Sequence, residues 1–565
     1  MIEDLFLESS SSRPPLRVGV VVDDLRALPP GSEVLSHLRR ANFVEFVVVL
    51  NASPSAQVST RVADVSEGTM DGGARKRLPG VFDWYQRWDR RRVESEARLM
   101  DPQECGVLIE GIPVVQSEAF AGDCDASVAR IAEYGLDVLI HLGSTRLRGP
   151  ILKLPRYGVW SVRWGDAVFS GTPPYFWEMV ERRSLIAVTL CVLAECQGPA
   201  RVLASVLTRA ESYASLARNS FAPFVAARTL VLQKLHQLHQ FGWGRVECGS
   251  ATSCVTAVQE DRYATNPEML WFLGTRLIGQ TRLRMQLANT LEHWQVAVRP
   301  AADARPCTNA EGYRGVDAPR GHYYADPFVV EHAGRTHLFV EDFSYAADIG
   351  GIACLEIGSD GSLGEPVHVI ERPYHCSYPQ VIREGEQWFM VPETGFNGTV
   401  ELYAAVDFPH QWRLEKVLFR GAAFDTTIVR HDGRYWFFVT LMDHVEHYCP
   451  QLFLFHSKSL TGTWTLHPDS PISRDVRTAR CGGGIIRDGD RLVRVAQDGG
   501  VTYGRGLRFM EIVKINPREY VEREIGELTC DRFPGTIGVH TYNRGGGFEV
   551  VDLKRRVRRR THLPD

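Results

Sequence analysis

The sequence predicts a multidomain chain: an α/β domain over residues 15–220, a helical connector over 221–310, a five-bladed β-propeller over 311–553 and a basic tail at 554–565. Three observations carry this. At 565 residues the chain exceeds what one core holds, since domains average about 100–200 residues. Its first part alternates apolar strand-like runs with helical patterns. From residue 320 onward, one hairpin pattern recurs five times.

In the first domain the runs at 17–24, 43–50, 136–143, 157–164 and 187–194 are almost continuously apolar and rich in Val and Ile. Such runs suit strands buried on both faces of a parallel sheet. Apolar residues at helical spacing fill 32–41, 83–97, 126–134 and 174–182, so the alternation predicts a doubly wound parallel sheet. No G-x-G-x-x-G follows the first strand, and a dinucleotide is not implied. The element order, with "GLDVLIHLGSTRLRGPILKLPRYGVWSVRWGD", "SGTPPYFWEMVE" and "AVTLCVLAE", resembles the Rossmann-like N-terminal domain of formyltransferases of the methionyl-tRNA formyltransferase type. The resemblance implies an Asn that polarises a formyl carbonyl, a His that takes the amine proton and an Asp that orients the His. Those positions here hold Ser161, Arg163 and Gly198. A guanidinium stays protonated above pH ~12 and offers no lone pair, so Arg163 cannot act as the base. It could instead fork onto a carboxylate, with Asp166 in the same turn. The expectation is a catalytically degenerate domain, a scaffold or recognition unit that needs neither formyl-folate nor another cofactor.

The connector reads as helix at 206–241, interrupted at Pro223, and again from about 266 to 296. His236 and His239 share a helix face at a spacing a metal could use, but no third ligand accompanies them, so a packed pair is expected. The small, polar stretch 248–260 reads as a linker.

The five hairpins are "FVVEHAGRTHLFVED", "QVIREGEQWFMVPET", "TIVRHDGRYWFFVTL", "GIIRDGDRLVRVAQD" and "HTYNRGGGFEVVD". Their turn glycines are Gly334, Gly385, Gly433, Gly489 and Gly546, at steps of 51, 48, 56 and 57 residues. A period of about 50 with hairpins marks a propeller, since no hairpin buries its faces alone. Eight positions before the first four glycines stand Asp326, Ser377, Asp425 and Cys481, with Gly538 to His540 in the looser last copy, and eight after stand Asp342, Glu393, Leu441 and Gln497, with Asp498 next. Acids at such offsets converge at one mouth of the ring, where like charges drive pKa values apart and can yield an acid and a base at neutral pH.

This half resembles five-bladed glycoside hydrolases of the arabinanase and xylosidase type, which implies a base at Asp326 in "ADPF" and a pKa-setting Asp at Asp425 in "FDTT". The acid Glu that opens the fourth blade in that family is replaced by "RCGGGII", leaving Glu393 or Asp498 to supply the proton. Over 320–553 the stretches "ADPFVVE", "HCSYPQV", "VPET", "VELY", "FDTTIV", "AQDGGVTYGRGL" and "HTYN" resemble the N-terminal propeller of plant glucosamine inositolphosphorylceramide transferases. That resemblance implies a sugar or glycoconjugate partner. The catalytic candidates are Asp326, Glu393 and Asp425; Asp342, Arg480, Asp498, Arg505, His540, Tyr542 and Asn543 are candidates for holding the sugar. A purely sugar-binding module, and formyl transfer to an amino sugar through an atypical site, remain as alternatives.

A net charge of −4 argues against nucleic acid as partner. No apolar run approaches the roughly 18 residues of a membrane span, and "MIEDLFLESSSSRPP" lacks the basic start and apolar core of a secretory leader. The twelve cysteines are scattered singly, with no zinc-ligand spacing, which predicts a reducing, cytoplasmic setting and no metal. "KRRVRRR" at 554–560 suggests contact with an anionic membrane surface. Oligomeric state is not readable from the sequence.

Overall fold

The computed structural model describes residues 2–22, 31–51, 80–82, 84–85, 88–89, 105–116, 125–143, 147–165, 169–170, 175–194, 200–211, 215–248, 260–261, 264–301, 309–443 and 448–559. The chain divides into two units, Met1–Ile278 and Gly279–Asp565.

A seven-stranded sheet organises the first unit, in the spatial order Val114–Gln116, Val44–Asn51, Leu16–Val22, Val138–His141, Val159–Trp164, Leu185–Val192 and Arg201–Arg209. The first five strands are parallel, and Val18, Val20, Val138 and Val159 are buried within them. The run expected as a further parallel strand, 187–194, departs from that reading: Leu185–Val192 runs antiparallel to Val159–Trp164, and Arg201–Arg209 antiparallel to it in turn. The intervening helix, Phe176–Val180, explains this. Five residues of helix rise only about 7.5 Å and cannot carry the chain back along a six-residue strand of roughly 20 Å.

Helix Leu216–Phe241 begins at Ser215, whose side chain accepts from the Arg218 amide, and continues through Pro223, which costs it one ladder donor. His236 and His239 pack on the Phe43 ring and reach the N-terminal segment. His236 Nε2 lies 3.1 Å from the Glu8 carbonyl; His239 Nδ1 lies 2.7 Å from Ser9 Oγ and its Nε2 3.0 Å from the Arg13 carbonyl. Most of the linker at 248–260 and of the helical pattern at 83–97 lies outside the described residues.

The second unit holds five four-stranded sheets, each numbered here from the axis outward. The first blade is His322–His332, Arg335–Ser344, Ile349–Ile357 and Val367–Ile370; the second is Ser377–Glu384, Gln387–Thr394, Thr399–Asp407 and Gln411–Arg420. The third is Ala423–His431, Arg434–Leu441, Gln451–Ser457 and Thr465–Leu466; the fourth is Ile486–Asp488, Arg491–Asp498, Gly506–Asn516 and Glu519–Thr529. The fifth draws on both ends of the unit: Tyr542–Gly545 and Phe548–Arg558 are completed by Thr290–Pro300 and Arg314–Gly315. Thr290–Pro300 pairs antiparallel along its whole length with Phe548–Arg558, which closes the ring.

Two sequence readings change accordingly. The helical pattern expected to 296 ends at Asn289, and Thr290–Pro300 is strand, its Trp294, Val296 and Val298 buried at every second position. The start of the basic stretch, Lys554–Arg558, is likewise strand, and Lys554 is buried. Phe328, Phe339, Tyr378, Trp436 and Phe438 belong to one core cluster that runs across several blades.

Candidate functional site at the propeller mouth

The inner strands of the first three blades slip register at one equivalent place, between Ala325 and Phe328, Ser377 and Gln380, and Phe424 and Thr427. Each bulge holds a non-glycine residue at positive φ: Asp326 at 48°, Tyr378 at 47° and Asp425 at 44°. Bulges of this kind re-aim a side chain, and Asp tolerates the left-handed region better than most residues.

Asp326 is buried and accepts from Thr541 Oγ1 at 2.6 Å, while its own amide donates to Asp552 Oδ2 at 3.0 Å. His540 Nδ1 lies 2.6 Å from Asp552 Oδ2, its Nε2 lies 3.8 Å from Asp326 Oδ1, and the Trp294 ring stacks on the imidazole at 3.9 Å. On the other side, Arg480 donates to Asp425 through Nε at 2.5 Å and Nη2 at 3.3 Å, and to Glu393 through Nη2 at 3.4 Å. Gln497 Nε2 donates to Asp425 at 2.5 Å, and the Asp425 amide donates to Glu393 at 3.1 Å. The Arg480 guanidinium also lies over the Phe424 and Tyr503 rings.

This arrangement drives the pKa values of the acids apart. Burial pushes the Asp326 carboxyl up to about 6, with Asp425 and Asp552 adding to the rise and His540 opposing it. Burial and the Asp425 charge hold Glu393 well above the usual carboxylate range. Burial also works to raise Asp425, but Arg480 and the hydrogen bonds from Glu393 and Arg480 outweigh it and hold Asp425 below its ordinary value. For His540, burial favours the neutral ring, yet the neighbouring Asp552 and Asp326 win and raise its pKa.

A fourth acid was missed by sequence reasoning. Glu341 is buried, faces the same cluster, and is held well above its ordinary pKa by burial and by Asp326, Asp552 and Asp425. The reason is turn chemistry. In the first and third hairpins the glycine is the second turn residue, after Ala333 and Asp432; in the second, Gly385 is the first. Counting from glycines therefore slips by one residue. Pairing of Ala325 with Glu341 and of Ser377 with Glu393 shows that Glu341, not Asp342, is the counterpart of Glu393. Aligning the Glu of "FVED" with that of "VPET" would have found it.

Asp342 instead sits 2.7 Å from His322 Nδ1 and 3.5 Å from His368 Nε2. Asp498 pairs with Arg508 at 2.7 Å, and the exposed Arg505 pairs with Asp531 at 2.7 Å, so neither joins the cluster. Tyr542 lies in the core against Phe509. Asn543 is a stitch between blades, donating to the Pro327 carbonyl at 2.8 Å and accepting from the Gly484 amide at 2.7 Å. The "CGGG" that replaces an acid in the fourth blade is a close-packing device: a methyl on Gly482 or Gly483 would run into the carbonyls of His540 and Tyr542. Asp552, Thr541, Trp294 and Tyr503 complete the cluster and were not singled out from sequence.

At the same end of the second blade, Phe396 exposes most of its ring beside His375, at 5.6 Å, and His375 Nε2 lies 3.5 Å from Glu341. Among the described residues, Asp326, His540 and Asp552 form a group that could hold a metal ion, with ligand atoms within 4.8 Å of one another. The carboxylates of Asp326 and Asp552 also accept hydrogen bonds from Thr541 and from the Asp326 and His540 amides. In the first unit, Ser161 Oγ is 3.2 Å from His141 Nδ1, and Arg163 offsets part of the burial that raises the Cys191 thiol pKa. Asp166 and Gly198 lie outside the described residues.

The fold and site thus define a five-bladed propeller with a buried acid and cation cluster at one mouth. Residues 268–535 match the family described as glucosamine inositolphosphorylceramide transferase 1, N-terminal. The chain is similar to glucosamine inositolphosphorylceramide transferase 1 of Arabidopsis thaliana, 34% identical over 265 residues, covering 45% of this chain and 34% of that protein. The namesake from Oryza sativa subsp. japonica is 31% identical over 207 residues, covering 36% and 28%. The chain therefore matches about a third of the length of these relatives. Among solved structures it is similar to the catalytic domain of an α-L-arabinofuranosidase from Coprinopsis cinerea (11% identity, 47% of this chain, 98% of that one, TM-score 0.33). It is also similar to a phosphoribosylglycinamide formyltransferase from Bacillus halodurans (13%, 40% and 97%, TM-score 0.27).

The cytoplasmic setting read from the scattered cysteines is corrected by this match. The relatives are named glucosamine inositolphosphorylceramide transferases, and unpaired buried cysteines such as Cys354, Cys376 and Cys481 are small core residues that carry no compartment signal of their own. Among the described residues, no helix is long and apolar enough to cross a membrane.

Proposed function

We propose that the propeller binds a sugar at this mouth and performs the sugar-handling step of glycoconjugate assembly. The observation that carries the reading is the geometry of two buried carboxyls sharing one arginine, in which Arg480 draws the Asp425 pKa down while that of Glu393, beside it, is held up. In this reading Glu393 gives its proton to the oxygen of the departing group. Asp326 takes one from the attacking hydroxyl, of water or of an acceptor sugar, and the Asp425 carboxylate, positioned by Arg480, stabilises positive charge developing on the ring. The exposed Phe396 offers a face for the sugar to stack on. The relatives' printed name supports glucosamine and an inositol phosphate lipid as the substrate classes to try first.

A second reading, binding without turnover, is favoured by the burial of the acids: Asp326, Glu341, Glu393 and Asp425 are each 5% exposed or less. The N-terminal unit is assigned a scaffold or recognition role, as a degenerate formyltransferase-like domain, because Arg163 offers no lone pair for proton abstraction.

Titration of glucosamine and of p-nitrophenyl glucosaminide against the wild type, Asp326→Asn and Glu393→Gln separates the two. A catalyst loses at least a hundredfold in rate with affinity kept, whereas a binding module shows no turnover and loses affinity. Sugar binding indifferent to both substitutions would remove the site from the mouth.

A further inference from the structure

We infer that helix Asn266–Asn289 is a membrane-surface docking element that lies on an anionic bilayer. The helix opens with a capping box, in which the Thr265 amide donates to Glu268 Oε2 at 2.9 Å and the Glu268 amide to Thr265 Oγ1 at 3.4 Å. Its Met269 and Phe272 are buried in the core of the first unit with Phe82, Tyr85 and Phe176. At about 100° per residue, these residues and Arg276 define one face. Leu270, Trp271, Leu277, Ile278 and Met285 fall on a second arc, roughly opposite, and each is more than half exposed. The helix is therefore apolar on two faces, one packed into the core of the first unit and the other exposed.

The charge pattern selects the occupant. From Met269 to Asn289 the helix contains no Asp or Glu. Arg282 and Arg284 are exposed and, by the same helical rotation of about 100° per residue, flank the apolar arc on its two sides. The Arg182 guanidinium lies 5.4 Å above the Trp271 ring. An apolar strip with a Trp on it and arginines along both borders matches a surface whose hydrocarbon lies under a layer of negative headgroups. Pairing of two such strips from two copies of the chain would instead bring the arginine borders together. The inference stands on this helix and does not depend on chemistry at the propeller mouth.

Co-sedimentation of the full chain with phosphatidylcholine vesicles, with and without phosphatidylserine, tests it. The wild type binds the phosphatidylserine vesicles; the exposed-site double substitution Leu277→Asp with Ile278→Asp lowers the bound fraction at least tenfold; and Arg282→Gln with Arg284→Gln removes the preference for the charged vesicles. Asp326→Asn leaves binding unchanged, so failure here is distinct from failure of the sugar reading. Equal sedimentation of wild type and the double Asp variant overturns the inference. So does absence of vesicle binding, including the case in which sedimentation velocity shows a dimer that the double Asp variant breaks. Near-ultraviolet circular dichroism confirms that the variants keep the wild-type fold.

Discussion

Replacing Arg480 with Met removes the one guanidinium that holds Asp425 and Glu393 together at 2.5 and 3.4 Å. Both acids are buried, so water cannot take its place, and breaking such a pair costs about 3–5 kcal/mol. The cost depends on pH, and its sign follows from the direction of each shift. In the wild type the Asp425 pKa is depressed, so its contribution is present above the unfolded carboxylate value of about 3.9 and is lost as pH falls through the folded value. Without Arg480, burial pushes Asp425 the other way. A carboxyl whose folded pKa is raised contributes below its unfolded value and loses that contribution as pH rises. Arg480→Met is therefore most damaging at pH 8 and less so at pH 5. Urea unfolding of full-length wild type and variant at both pH values measures the gap in each transition. A loss below about 1 kcal/mol that is the same at both pH values would match a screened surface pair and refute the reasoning.

The Asp552→Asn variant should lower the His540 pKa, which is raised chiefly by Asp552 and Asp326 against burial; imidazole proton shifts in an NMR pH titration report it. Since a raised His contributes stability that fades as pH rises through its folded pKa, the variant also loses part of the wild type's stability gain on acidification. Glu341→Gln should alter sugar binding or rate at the mouth while Asp342→Asn leaves both unchanged, because only Glu341 faces the cluster; glucosamine titration of the two variants decides. Gly483→Ala places a methyl against the Tyr542 carbonyl at a backbone φ of 146°, so a loss of several degrees in Tm, or no soluble protein, is expected in a thermal melt. Ending the chain at Leu553 removes half of the closing strand's register, from Lys554 paired with Trp294 to Arg558 paired with Thr290, and should lower the propeller's unfolding midpoint in urea.

The ring was legible because each inner hairpin needs a tight turn with positive φ, and glycine supplies it at intervals near 50 residues. The same signal blurred the site, since Gly334 and Gly433 occupy the second turn position and Gly385 the first. Arg480 was legible as a sugar-holding candidate but not as a partner of the acids; only the fold brings it from the fourth blade onto acids of the second and third. The partner of the closing strand was invisible for a different reason. Thr290–Pro300 has no turn glycine of its own and follows directly on a long helix, so its leading residues keep helical spacing while Trp294, Val296 and Val298 already alternate. In the first unit the strand positions were readable from apolar runs, but the reversal at Leu185–Val192 was set by the length of a five-residue helix rather than by strand composition.

Because the fifth blade takes its third strand from residues 290–300 and its second from 548–558, the ring cannot shut until residues 548–558 have left the ribosome. Until then the nascent chain carries two raw sheet borders, Tyr542–Gly545 not yet backed and Thr290–Pro300 waiting, each a template for pairing with other chains. Closure is thus the step at which synthesis, solubility and assembly of the acid cluster coincide, for Asp552 and His540 arrive only with the strands that seal the circle.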